Sequence, residues 1–124
     1  MWSYEQTTGR LNHDGEPVGE CGYSGFEDGK NNPAMQTEPD CGPIPRGRYM
    51  IGPVEFADVE GPHGPFVLPL TADPANEMFG RSGFLIHGDS LTHPGCASRG
   101  CIILPRPTRE AIAQSSDPDL EVVE

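Results

Sequence analysis

Gly83-Phe84-Leu85-Ile86-His87-Gly88 and, after a polar loop, Cys101-Ile102-Ile103-Leu104 decide how this chain is read. Each is an apolar run of strand length, too short for a free-standing helix. One run ends in a histidine and the other begins with a cysteine. The pair predicts two buried strands that bring His87 and Cys101 to facing ends. The surrounding chain is rich in turn formers, with 16 Gly and 14 Pro among 124 residues, of which 35% are hydrophobic. Short strands joined by tight turns fit that composition better than a helix bundle.

Further from the two runs, large and polar residues alternate over Trp2–Thr8, which predicts a strand. Thr8-Gly9 marks a turn into a return strand over Arg10–His13. Asp14-Gly15 marks a second turn, and Val18–Tyr23 is expected to be a third strand. Ser24–Asp40 has no periodicity and is expected to be a long loop. Strands are expected over Arg48–Val54 and over Phe66–Thr71, with Pro69 at an edge or bulge. Ala75–Phe79 is expected to make one helical turn, and Pro107–Gln114 a short helix with proline near its start. The expected architecture is a single mainly β domain over 1–116, with one short C-terminal helix, followed by an acidic tail over 117–124 that frays.

The net charge of -11 disfavours nucleic acid and anionic lipid, both of which need clustered Lys and Arg. No stretch approaches the ~20 apolar residues of a membrane span, and no basic-then-apolar leader is visible at Met1-Trp2-Ser3-Tyr4. Synthesis in the cytoplasm without a signal peptide is therefore expected. Reduced thiols are the default for the four cysteines in that setting. No CxxC pair accompanies His13, His63 or His93, so neither a metal site nor a cofactor is expected.

A cysteine attacks carbonyls as thiolate, a form that an ordinary thiol populates to only about a few per cent at neutral pH. An adjacent imidazole can take its proton and leave a thiolate–imidazolium pair. In Ser98-Arg99-Gly100-Cys101, Gly100 permits a turn whose backbone N–H groups form a nest for an oxyanion. Taken alone, a cysteine at a strand start is more often core packing, and a histidine at a strand end more often a satisfied structural residue.

The wider pattern weights the chemical reading. His87-Gly88-Asp89-Ser90 followed by Ala97-Ser98-Arg99-Gly100-Cys101-Ile102 resembles the signature of L,D-transpeptidase catalytic domains, and Gly42-Pro43-Ile44-Pro45-Arg46-Gly47-Arg48-Tyr49 resembles a strand of that family. Trp2–Leu11 together with Gly22-Tyr23-Ser24-Gly25 is similar to the branch found as type VI secretion effectors. The likeness runs from Trp2 to about Arg109. It implies a β-sandwich or barrel with its site at one rim, and a Cys101 acyl-enzyme formed on peptidoglycan tetrapeptide stems with loss of D-alanine. Water then gives L,D-carboxypeptidase activity, and an amine gives transpeptidation or exchange.

On the same resemblance His87 is the base, and the Gly88 carbonyl orients it. Gly88, Gly100 and Arg99 are assigned to orientation or the oxyanion, and Asp89, Ser98, Tyr49 and Arg81 are candidates for substrate contact. Arg99 replaces the histidine that many members carry before Gly-Cys; it cannot act as a base but suits a carboxylate. Asp89 orients His87, binds the substrate amine or makes an Asx-turn. The implied partners are the secretion machinery and an immunity protein, and the implied place of action is the target-cell periplasm. In that compartment Cys21 and Cys41 are expected to pair, while Cys96 stays a free loop thiol. The competing readings are an inactive binding or adaptor module of the same fold and a cysteine amidase or peptidase cutting another cell-wall peptide bond.

Overall fold

The computed structural model describes residues 1–59 and 61–124. The chain forms β1 (Trp2–Glu5), β2 (Leu11–His13), β3 (Glu16–Pro17), β4 (Tyr23–Ser24), β5 (Gly47–Ile51), β6 (Leu68–Ala72), β7 (Leu85–His87), β8 (Ile102–Ile103), α1 (Arg106–Ser115) and β9 (Asp119–Val123). The strands make one sheet in the order β3-β2-β1-β9-β5-β6-β7-β8-β4, curled into a half-barrel. The mainly β domain with a short C-terminal helix is thus as expected. The sheet is an open, curled one rather than two sheets packed face to face.

Local chemistry accounts for several boundaries. Asp14 and Gly15 both take positive φ (49° and 88°), the requirement of the tightest hairpin turn. That turn starts β2–β3 pairing at once, so His13 faces Glu16. The third strand therefore lies at Glu16–Pro17 and not over Val18–Tyr23, and Gly19, at φ 65°, follows it. The long loop over Ser24–Asp40 contains two short 3-10 turns, Glu27–Gly29 and Pro33–Met35. No helix forms over Ala75–Phe79; the Asp73 side chain accepts from the Ala75 N–H instead, an Asx-turn that competes with helix.

Pro69 is not at an edge, because β6 lies between β5 and β7. The strand changes partners at this residue. Leu70–Ala72 pair with β5, while Leu68–Pro69 pair with β7. The missing N–H falls at the switch between the two halves of the sheet, where the ladder is already broken.

The acidic C-terminal segment is not a frayed tail. β9 is inserted between β1, to which it is parallel, and β5, to which it is antiparallel. Leu120 and Val122 alternate into the core while Asp119 faces solvent. The core unites Trp2, Tyr4 and Leu11 from the first strands with Ile86, Ile102 and Ile112 from the later elements. No helix among the described residues is long and apolar enough to cross a membrane.

Candidate active site

β7 and β8 run parallel, with Ile86 opposite Ile102 and His87 opposite Ile103. Side chains alternate along a strand, so Ile86 and Ile102 share one face, and both lie in the core. Extending the register by one residue sets Cys101 against Leu85. Cys101 itself lies in a bend just before β8, and its thiol accepts from the Leu85 backbone N–H. Among the described residues no hydrogen bond joins the thiol to the imidazole.

The His87 ring is fixed from behind. Its Nδ1 lies 2.8 Å from the Gly88 carbonyl oxygen; a carbonyl only accepts, so Nδ1 carries the proton and Nε2 presents its lone pair. Burial pushes the imidazole pKa below its ordinary value, and nearby His63 and Arg109 add to this, against the Gly88 carbonyl and Asp89. Burial pushes the Cys101 thiol up, opposed by a backbone hydrogen bond from Leu85 and by the Arg81 charge. Both shifts favour uncharged forms, so the resting pair is thiol and neutral imidazole rather than a thiolate–imidazolium pair.

A cleft of about 870 Å³ opens beside His87, between the Cys21–Tyr23 segment, the Pro62–Pro65 loop, the Gly88–Thr92 segment and the start of α1. His87, Gly88, Asp89 and Tyr23 line it, and Ile103 and Leu104 give it an apolar floor. Cys101 is half-buried and is not among the residues that line the cleft.

The remaining expected site residues have other employment. Ser98 is fully buried; its Oγ donates to the Cys101 carbonyl at 2.6 Å and accepts from the Gly25 and Gly100 N–H groups. Ser98 therefore holds the cysteine turn and does not face a ligand. It also occupies the Gly100 N–H, which is not open as an oxyanion donor in this state. Arg81 is buried, with its guanidinium donating to the carbonyls of Gln36, Pro43, Gly42 and Arg99, so it ties the Gly42–Pro43 segment to the cysteine turn instead of reaching a substrate. Tyr49 is buried and donates to the Pro45 carbonyl.

Asp89 accepts from the Tyr23 hydroxyl at 2.5 Å and from the Ser90 and Gly95 N–H groups. It closes the Ser90–Gly95 loop, the Asx-turn role, and makes no hydrogen bond to His87 among the described residues. Arg99 is exposed, its guanidinium over the Phe26 ring at 4.2 Å. All four cysteines are free: Cys21 is exposed beside the cleft, and Cys41 donates instead to the Phe26 carbonyl.

Two cleft residues escape a reading of the sequence. His63, which looks like a water-facing turn residue in Gly-Pro-His-Gly-Pro, has its ring 4.8 Å from that of His87. Nothing in the local sequence announces this approach across the fold. Arg109 lies on the buried stripe of α1 with Thr108 and Ile112, and an arginine on an apolar stripe is itself a signal.

A family model, the Tlde1 domain, matches residues 20–121. The chain belongs to the Tlde1 domain family. This is a family of type VI secretion effector domains of transpeptidase-like character. The match covers β4–β8, α1 and the first part of β9, and so contains the whole cleft of this Tlde1 domain. No curated protein matches the chain.

Proposed function

We propose that this Tlde1 domain is a cysteine-dependent L,D-carboxypeptidase/L,D-transpeptidase that acts on the tetrapeptide stems of peptidoglycan as an antibacterial effector. The observation that carries the proposal is the locked His87 tautomer, with Nδ1–H on the Gly88 carbonyl and Nε2 left to take a proton, at the end of β7, the strand that pairs with the β8 strand Cys101 immediately precedes.

The thiol is the resting form, so attack and proton transfer occur together. As the Cys101 sulfur bonds to the diaminopimelate carbonyl carbon, its proton passes to His87 Nε2 and the carbonyl electrons move onto oxygen. Collapse of this tetrahedral adduct restores the carbonyl and breaks the bond to D-alanine. The departing amine takes the proton from the imidazolium, leaving a thioester. Water, deprotonated by His87, then releases the tripeptide. An incoming D-amino acid amine takes the acyl group in the exchange reaction.

Action in the periplasm of a target cell, delivery by a secretion machine and neutralisation by an immunity protein accord with membership of an effector family. The decisive experiment is mass spectrometry of muropeptides incubated with the domain. Tetrapeptides should become tripeptides with release of D-alanine, and Cys101→Ser should abolish the change. Retained activity in Cys101→Ser removes the nucleophile assignment. A different bond cut by the wild type makes the domain an amidase or peptidase, and no reaction at all favours a binding module.

A further inference from the structure

Arg109 is 6% exposed, yet no carboxylate of the described residues forms an ion pair with it. Its Nε donates to the Leu104 carbonyl at 3.0 Å, and Nη1 donates to the carbonyls of Pro65 and Phe66 at 2.9 and 2.7 Å. Nη2 has no hydrogen-bond partner among the described residues. It lies against Gly88, where a Cβ would come within 2.8 Å of it, and Arg109 lines the cleft. Its neighbour Arg106 differs in both respects, being half-exposed and paired with Glu110 at 3.4 Å.

An arginine retains its charge when buried, and a desolvated charge without a counter-ion is costly. Three carbonyls hold this guanidinium still and aim its remaining N–H groups past Gly88, beside the base. The protein as a whole carries a net charge of -11, so a buried cation that lines the cleft and has no carboxylate partner among the described residues stands out. A carboxylate is the group that completes it, through short charge-assisted hydrogen bonds.

We infer that Arg109 Nη2 is a carboxylate-binding subsite that reads the free C-terminal carboxylate of the peptide. The inference rests on the proposed reaction for its orientation. The carboxylate of the departing D-amino acid is one residue from the carbonyl attacked by Cys101, on the side of His87 where the leaving amine collects its proton. Arg109 thus selects a terminal residue over an internal one. The same subsite receives the carboxylate of an incoming D-amino acid in the exchange reaction and aims its amine at the thioester.

The test measures binding to the Cys101→Ala protein, in which no turnover intervenes. A tetrapeptide stem ending in D-alanine is titrated against the same peptide ending in D-alaninamide. The acid should bind on the order of tenfold more tightly or better, the scale of a hydrogen bond to a charged group. The 15N resonances of the Arg109 side chain should shift with the acid and not with the amide. Arg109→Gln, checked for folding by thermal denaturation, should bring the acid down to the amide.

Equal binding of acid and amide to the protein with Arg109 intact overturns the inference, whatever the variant does. Acid-selective binding without D-alanine release by the wild type retains the subsite and removes the enzyme. D-alanine release without acid selectivity does the reverse.

Discussion

At Cys101 and His87 the protein holds two titratable groups in their uncharged forms, and this has measurable consequences. Burial raises the thiol and lowers the imidazole. Alkylation of Cys101 by iodoacetamide should therefore be slow at neutral pH and climb only above the ordinary thiol range. A fast, pH-independent rate near neutrality would indicate a preformed ion pair instead. A base must be unprotonated to act, so a lowered imidazole pKa keeps activity at lower pH. The acidic limb of kcat/KM should lie below the usual histidine value.

His63 contributes to that lowering. His63→Ala should move the acidic limb towards higher pH and leave the plateau in place. An unmoved limb would mean that burial alone sets it. At this scale the proposed nucleophile and base are legible because each stands at one end of an apolar run. Ser98, Arg81 and Tyr49 are not legible, because a serine or arginine beside a reactive cysteine reads the same whether its hydrogen bonds run to a ligand or to the backbone.

The turn that carries Cys101 is held from three sides. Ser98 binds it internally, Ser24 donates to the Gly100 carbonyl at 2.8 Å, and Arg81 donates to the Arg99 carbonyl. Gly100 has φ 138°, and a Cβ there would lie 2.6 Å from Arg81 Nη2 and 2.8 Å from the Phe84 ring. Gly100→Ala should therefore cost about 1–3 kcal/mol from the backbone alone, plus the displacement of Arg81. A calorimetric scan should show a Tm lower by several degrees. Ser98→Ala removes the hydroxyl that serves two buried N–H groups and one half-buried carbonyl. It should cost a further ~2 kcal/mol and lower activity more than the loss of stability accounts for.

Single elements are legible where one local rule dominates, as at the Asp14-Gly15 turn and in α1, which begins one residue before its expected start. They are not legible where a distant partner decides. Pro69 occupies the middle of the sheet only because β6 changes neighbours there, and β4 is two residues long because all it must do is pair with β8.

Across the whole molecule, composition was enough to indicate a mainly β domain, since so many Gly and Pro leave room only for short strands. The position of the last strand was hidden. Asp119-Leu120-Glu121-Val122-Val123 has the two-residue period of a strand, but its acidic residues gave it the look of a solvated tail. Deleting residues 118–124 should unfold the domain. The deletion takes away Leu120 and Val122, each worth about 1.5–3 kcal/mol of burial, and opens the ladders to β1 and β5. Loss of cooperative thermal unfolding and of near-ultraviolet dichroism would register the outcome; a native-like spectrum would show that β1 and β5 tolerate the gap.

The parallel pairing of β1 with β9, Trp2 beside Leu120 and Glu5 beside Val123, also has a mechanical consequence. Residues 1 and 124 leave this strand pair at opposite ends. Tension applied between them slides the strands lengthwise, so every rung bears load together. The β2–β3 hairpin at the sheet edge is loaded in the other geometry and peels one rung at a time. Stretched by its two ends, the domain is a lap joint, and it should yield only at a force well above the one that peels its edge.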